Sequence, residues 1–599
     1  MTVDGTSFRD LNGNGELDPY EDSRLPVEDR VDDLLARMTL EEKAAQLFHQ
    51  GLLVPDDGAL GEEPDGFSPM STRALVSELR LTHFNIYWAP GPVALAEWHN
   101  RMQEAAEATR LGIPVTISSD PRHGLGNNPA TSMAGAGFSK WPDPIGLAAA
   151  RDEGLVREFA DVVRREYLAV GIRLALHPTA DLATEPRWCR AAGTFGEDAE
   201  VVASLVTAYI RGMQLETLGP QSVACMTKHF PGGGPQLDGE DPHFPYGREQ
   251  VYPGGNFDYH LIPFEAAIEA ETAQLMPYYG MPVGTEHEEV GFGFNHGVLT
   301  GLLRDRYGFD GVVCSDWGLL TDAVIDGVVW PARAWGVEHL STEKRALKAL
   351  AAGIDQFGGE ACPEVVVDLV RSGRIDEARI DASVRRLLRD KFRLGLFDDP
   401  YVDPQAAADV VGQTEFLDRG HKAQTRSFVL LKNDDVLPLR GSPRVYLKGL
   451  ESTALPGNAS VADAPEDADV ALVRIQAPYE PRNGNFIEAL FHAGGLHFDS
   501  ADIAWLLELM QRVPTVVDIY LDRAAVIPEI AEGAAALLAG FGATDEALLD
   551  IVFGRAAPAG RLPFELPASM ESVRNQLPDM PYDSSDPLFP FGHGLSYTD

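Results

Sequence analysis

The run Gly311-Val-Val-Cys-Ser-Asp316-Trp317 carries the most chemistry in this chain, because an apolar stretch breaks off there into an acid. A strand hydrophobic on both faces belongs to a buried parallel sheet, and a carboxylate at its C-terminal end stands where α/β barrels place reacting groups. Asp316 is therefore a candidate nucleophile. Lys228 and His229 end another apolar run and lead into Phe230-Pro-Gly-Gly-Gly234. An ammonium and an imidazole at a barrel mouth can hydrogen-bond a polyhydroxylated ligand and favour ionisation of a nearby carboxylate. Taken alone, Lys228 reads equally well as the partner of an acid on the rim. Arg190, in Pro186-Arg-Trp-Cys-Arg190, and Asp120, after Ser118-Ser119, offer donors and acceptors that together can read two adjacent hydroxyls of one ring. Asp120 by itself reads as a helix cap or an ion-pair partner.

These residues are far apart in sequence, so a fold must gather them. Apolar runs at 46–54, 84–88, 115–119, 173–177, 223–227, 274–279, 312–315 and 354–357 alternate with helical periodicity at 95–110, 153–170, 199–214, 262–271, 298–307 and 342–352. Eight strands alternating with helices predict a closed parallel (β/α)8 barrel. The runs end in Ser119-Asp120, His177 through Asp181, Lys228-His229, Tyr278-Tyr279 and Ser315-Asp316, all on the side that becomes one mouth. A Pro/Asp-rich stretch near 398–404 marks a linker. Further runs at 427–432, 445–448, 470–475, 516–520 and 535–540, with a helix at 503–512, predict a second α/β layer with a mostly parallel sheet. The expected division is an N-terminal segment 1–21, a barrel 22–395, a linker 396–420 and an α/β sandwich with a C-terminal tail, 421–599. No Gly-rich dinucleotide fingerprint or Walker loop occurs in the second half.

The bulk properties narrow the partners. With 599 residues the chain is too long for one core, and 49 basic against 91 acidic residues give a formal charge of −42, which repels phosphate backbones and anionic lipid. Nucleic acid and membrane are excluded as expected partners. Homo-oligomerisation is left open. Cys189, Cys225, Cys314 and Cys362 form no CxxC pair, so reduced buried thiols are expected. The N-terminal Met1-Thr-Val-Asp-Gly-Thr has neither a basic nor an apolar segment, which reads as a cytoplasmic location.

Met38-Thr-Leu-Glu-Glu-Lys-Ala-Ala-Gln46, Lys228-His-Phe230, Ser315-Asp-Trp317, Ser427-Phe-Val-Leu-Leu-Lys-Asn433 with Leu437-Pro-Leu, and Phe589-Pro-Phe-Gly-His-Gly-Leu-Ser-Tyr597 together resemble glycoside hydrolase family 3, in order and over nearly the whole chain. The resemblance implies a barrel followed by an α/β sandwich, in the two-domain form without a fibronectin-type domain. It also implies exo-acting, retaining hydrolysis of a small β-glycoside, most simply a β-glucoside. Carried over by motif, Asp316 is the nucleophile, Trp317 lies beside the ring, and Asp120, Arg190, Lys228, His229 and Tyr279 surround the sugar. The general acid is expected at Glu480, in Pro478-Tyr-Glu480 on a second-domain loop. Glu488 is the runner-up, and an Asp241/His243 pair, similar to the Asp-x-His of the family's β-N-acetylglucosaminidases, is a second route. A β-xylosidase, a β-N-acetylglucosaminidase, or a sugar-binding protein that has lost catalysis are the alternatives.

No cofactor is expected for catalysis. Independently of the barrel, Asp10-x-Asn12-x-Asn14-Gly15-x5-Glu21 matches the twelve-residue calcium-loop template, with Glu16 and Asp18 at the seventh and ninth positions. This predicts a structural Ca2+ held by Asp10, Asn12, Asn14, Glu16, Asp18 and Glu21. The alternative is an Asn/Gly/Asp turn that shapes itself by side-chain to backbone bonds.

Overall fold

In the computed structural model the chain is described except at residues 1, 4, 5, 69, 127–132, 134, 326, 327, 483, 485, 486, 598 and 599. Eight parallel strands form the first sheet: β1 (Phe48–Leu53), β2 (His83–Trp88), β3 (Thr116–Ser119), β4 (Ile172–Ala175), β5 (Ala224–Phe230), β6 (Gln274–Pro277), β7 (Val312–Val313) and β8 (Phe357–Gly358). They neighbour one another in sequence order, and β8 pairs with β1. A parallel bridge between Cys314 and Gln356 joins β7 to β8 and completes the ring. All eight expected runs enter this sheet. The last two ladders are shorter than their apolar runs: beyond Val313 the chain turns into the cavity, and the buried Asp355 carboxylate accepts from the Val313 N–H at 3.1 Å.

The helices between the strands follow the apolar spacing, because a stripe at three-to-four residue intervals has to face the sheet. The pairs with the clearest stripes are α1 (Glu153–Ala169) and α2 (Ala199–Gln214), each begun by an aspartate whose side chain accepts a backbone N–H of the first turn. The stretch expected as a linker is not extended throughout. Asp403 caps a helix at Pro404–Val410, and a second helix, Thr414–Ser427, runs up to the next sheet.

That sheet contains β9 (Val429–Asn433), β10 (Arg444–Lys448), β11 (Ser460–Val461), β12 (Val470–Gln476), β13 (Thr515–Tyr520) and β14 (Ala536–Gly540), in the spatial order β9-β14-β13-β12-β10-β11. Only the β9–β14 pair is antiparallel. Separate apolar cores cover its two faces, one built around Val517, Ile519 and Leu537, the other around Leu430, Val516 and Leu538. This alternation is the period-two pattern of a sheet buried on both sides. No helix among the described residues is long and apolar enough to cross a membrane.

Two long connections lock the layers together. The loop after β5 carries Glu240, whose carboxylate is gripped by both Nη atoms of Arg482 from the loop after β12, at 2.5 and 2.6 Å. The fully buried Arg523 donates to the carbonyls of Pro478, Ala493, Gly494 and Gly495, and also to Arg187 of the barrel at 3.1 Å.

Candidate active site

A cavity of about 670 Å³ opens at the C-terminal ends of the barrel strands, with Asp120, Arg190, Lys228, His229, Tyr279, Asp316 and Trp317 all in its wall. All but Arg190 come from a strand end or the turn just beyond it, so the sheet register places them on one mouth; Arg190 reaches it from the long connection after β4, just before a short turn at Ala191–Gly193. Asp316 follows the short β7. Its Oδ1 accepts from the Trp317 N–H at 2.9 Å, whereas Oδ2 is buried and has no hydrogen-bond partner among the described residues. The Trp317 indole rests on the end of β8, where Gly358 and Gly359 leave room: a Cβ on either would come within 2.6 Å of the indole. Gly359 also holds a φ of +69°, which side-chain-bearing residues rarely adopt.

The positive groups are held by their own partners. Lys228 Nζ donates to Asp120 Oδ1 at 3.0 Å, and Asn85 Nδ2 reaches Asp120 Oδ2 at 3.3 Å. Desolvation pushes the Asp120 carboxyl up, but Lys228, Arg122 and Asn85 outweigh it, and the net position is below the usual range. His229 Nδ1 lies 2.6 Å from Asp181 Oδ2, and its Nε2 lies 3.1 Å from Arg190 Nη2. Arginine can only donate, so Nε2 accepts and Nδ1 carries the proton. Burial and the Arg190 charge hold the imidazole far below its ordinary range, so it is the neutral tautomer that meets the cavity. His229 Nε2 stands 4.0 Å from Asp316 Oδ2. Arg190 keeps Nη1 buried and without a hydrogen-bond partner among the described residues. Tyr279 Oη donates to the Trp317 carbonyl at 2.8 Å, and burial and the Asp316 charge drive its phenol far above the ordinary value.

The three candidate acids separate. Glu480 does not line this cavity. Its carboxylate accepts from Gly495 N at 2.8 Å, and it borders a different cleft on the sandwich, because the β12 loop turns back at a Glu480–Ala493 bridge before it crosses to the barrel. Glu488 occupies the rim, accepting from Tyr246 Oη at 2.6 Å and Gly484 N at 2.7 Å, while its neighbours Ile487, Leu490 and Phe491 face the cavity. His243 is in the wall itself, packed edge-on to Tyr279 with ring centroids 4.8 Å apart. Its Nδ1 meets Asp241 Oδ1 at 2.5 Å, which leaves Nε2 as the ring atom free to act. Burial raises the Asp241 carboxyl, but His243 and Arg190 overcome it and bring it down to about 2.

The calcium-template residues are bound up with one another and with Arg37. Asp10 accepts from Asn14 N and Gly15 N, Glu21 from Leu11 N and Asp18 N, and Asp18 pairs with Arg37 Nη2 at 2.8 Å while accepting from the Asn12 and Asn14 amides. Asn14 Oδ1 takes the Glu16 N–H. Among the described residues no three His, Cys, Asp or Glu side chains converge as a metal site. Calcium at this loop rests on the sequence pattern alone.

Several wall residues carried no sequence signal for a site. Gln50 and Asn85 lie inside strands, Arg333 follows the hairpin Val328–Trp330, and Glu360 follows β8. Asp181 was visible only as a strand ending, and nothing in its spacing announced it as the partner of His229.

Residues 43–389 match the model of the glycosyl hydrolase family 3 N-terminal domain, and 453–597 match that of its C-terminal domain. The chain belongs to glycosyl hydrolase family 3. It is thus a glycoside hydrolase, an enzyme acting on carbohydrate. A probable beta-glucosidase C of Aspergillus flavus is 52% identical over 585 residues, covering 96% of this chain and 92% of that one. A periplasmic beta-glucosidase/beta-xylosidase of Dickeya chrysanthemi is 43% identical over 622 residues, covering 100% and 94%. Among solved structures, the β-glucosidase of Listeria innocua in complex with isofagomine superimposes with a TM-score of 0.73 at 22% identity, covering 95% and 83%, which supports the shared fold. The cytoplasmic expectation does not stand, because this family 3 relative, similar end to end, is a periplasmic protein. A missing leader motif at Met1 is no guide to where such a chain works.

Proposed function

We propose that this family 3 enzyme is an exo-acting, retaining β-glucosidase in which Asp316 is the nucleophile and the Asp241/His243 pair the acid/base. The observation that carries the reading is the buried Asp316 Oδ2, without a hydrogen-bond partner among the described residues, in a cavity walled by Asp120, Arg190, Lys228 and His229. An oxygen left without a partner among hydrogen-bonding side chains is suited to a bond that forms only with substrate. The sugar hydroxyls would be read by the Lys228–Asp120 pair and the spare Arg190 Nη1, with the ring against Trp317.

In the first step Asp316 Oδ2 attacks the anomeric carbon, the C1–O bond to the leaving group breaks, and that oxygen takes the proton of His243 Nε2. In the second, His243 Nε2 removes a proton from water as the water oxygen displaces Asp316. Asp241, ionised throughout, orients the ring through Nδ1. A cavity at one end of the barrel supports action on a terminal residue, and the names of the Aspergillus and Dickeya relatives support glucose as the glycone, with xylose as the second reading.

A 2-deoxy-2-fluoro β-glucoside with an activated leaving group should trap the covalent intermediate, and peptide mass analysis should find the label on Asp316. Label on another residue would remove the nucleophile assignment. In parallel, chromogenic β-glucosides should turn over faster than the matching β-xylosides and β-N-acetylglucosaminides; the reverse order would change the glycone.

A further inference from the structure

We propose that the sandwich carries a second carbohydrate site, separate from the catalytic cavity, that takes a β-linked oligosaccharide of glucose. In the second sheet the chain moves outward from β10 to β11, then returns to β12 on the other side of β10 and continues through β13 to β14. The winding direction therefore reverses between β10 and β12. Open parallel sheets bind ligands in the crevice beyond the carboxyl ends of their strands at such a reversal. A cleft of about 640 Å³, nearly as large as the catalytic cavity, opens beside the end of β12.

Its lining has the chemistry of sugar recognition. Tyr479 is 38% exposed, and one ring face is fixed by stacking on His492 with centroids 3.9 Å apart and planes 15° apart. Trp505, on the helix Ser500–Arg512, is steadied by Lys448 Nζ, 3.8 Å from its ring centroid, and Phe498 completes an aromatic lining. Such rings offer flat faces to the C–H side of a pyranose. Around them stand Glu480, Asp499 and Asp502. Glu480 spends one oxygen on Gly495 N, whereas the side chains of Asp499 and Asp502 have no hydrogen bond or ion pair among the described residues. Three acceptor-only carboxylates repel phosphate or an acidic ligand and accept from hydroxyls.

One loop separates the two spaces. Its ends, at Pro478–Pro481 and Gly495–Asp499, line the cleft, and Ile487, Leu490 and Phe491 from its middle line the catalytic cavity. A glucan chain resting in the cleft would lie on the other side of the wall that flanks the active site.

The test is calorimetric titration of the full-length Asp316→Asn protein with cellotetraose and laminaritetraose. At least one should give two binding events per chain. Adding Tyr479→Ala, and separately Asp502→Ala, should weaken one event at least tenfold and spare the other, while either substitution in the active enzyme leaves aryl β-glucoside hydrolysis and the melting temperature unchanged. A single event that neither Tyr479→Ala nor Asp502→Ala weakens, two events indifferent to both substitutions, or a cleft that responds to spermidine and to neither sugar would overturn the proposal. Failure of the catalytic reading would remove the event that survives Tyr479→Ala, so the two outcomes are distinguishable.

Discussion

His243 gives one ring nitrogen to a carboxylate held ionised and lines the same cavity as Asp316, an arrangement suited to a proton donor. Glu488 has spent both oxygens on Tyr246 and Gly484. His243→Ala should therefore lower kcat for an alkyl β-glucoside by about 10²–10⁴-fold, the usual worth of general acid catalysis. A dinitrophenyl β-glucoside, whose leaving group needs no proton, should lose far less in the glycosylation step, and added azide should restore turnover as glycosyl azide. Glu488→Gln should leave both ratios near wild type; if it instead produces the leaving-group split, the acid is Glu488. That Asp120, Lys228, His229, Tyr279 and Asp316 share one cavity wall was legible in the sequence, because strand ends in a barrel converge whatever lies between them; the role of each at a sugar came from the family resemblance. The acid was not legible, since nothing local distinguishes Glu480 from Glu488 or His243. Which of them reaches the cavity depends on how two long loops cross.

That crossing is decided at the level of elements. Among its described residues the connection from β12 to Ser500–Arg512 has no helix or strand apart from a short turn at Glu488–Leu490, and its path is set by Arg523 and by the Arg482–Glu240 pair. Arg523 binds both ends of the loop, so the fold of the loop depends on one planar fork of donors reaching from Pro478 to Gly495. Arg523→Met should leave the carbonyls of Pro478, Gly494 and Gly495 without a donor, while Ala493 keeps the Glu480 N–H, and cost roughly 2–5 kcal/mol, at about 1–3 kcal/mol for each group left without a donor and with partial relaxation. The melting temperature should fall, and KM for β-glucosides should rise because Ile487, Leu490 and Phe491 lose their support. Arg523→Lys keeps the charge without the fork and should recover little of either. An unchanged melting temperature in Arg523→Met would show that the loop is held elsewhere. Here the sequence predicted the strands on both sides correctly and said nothing of the span between them, because a long arginine contact across domains leaves no periodic trace.

At the scale of the whole molecule, two sets of buried groups oppose each other as pH changes. Six buried histidines are forced neutral, desolvation being the first cause in each: His49 and His177 go down to about 3, His99 and His260 to about 4, and His83 and His229 lie well below the ordinary value. Unfolded histidine titrates near about 6.5, so below that pH the unfolded chain binds protons the folded one refuses. Their stabilising contribution is complete above about 6.5 and is lost as pH falls toward the folded values. Five buried carboxyls act the other way: Asp181 and Asp390 are raised to about 6, Glu360 to about 7 and Glu197 to about 8, and Asp518 is raised as well, again chiefly by burial. They favour the folded state fully at low pH and lose that contribution as pH rises through those values. Near pH 5 the histidines outnumber the carboxyls and stability climbs with pH; above about 6.5 the histidines have finished titrating, and only the remaining carboxyl losses operate. At about 0.15 M salt, where exposed charges are screened beyond about 8 Å, the repulsion that comes with a formal net charge of −42 is damped and the buried groups govern the curve. The melting temperature should therefore peak between about pH 6 and 7, fall on both sides, and fall more steeply toward acid, where Asp120 and Asp241, held below the usual range, are also forced to protonate. Differential scanning calorimetry from pH 4 to pH 9 measures this directly, and a melting temperature still climbing from pH 6.5 down to pH 5 would show that the buried histidines do not dominate.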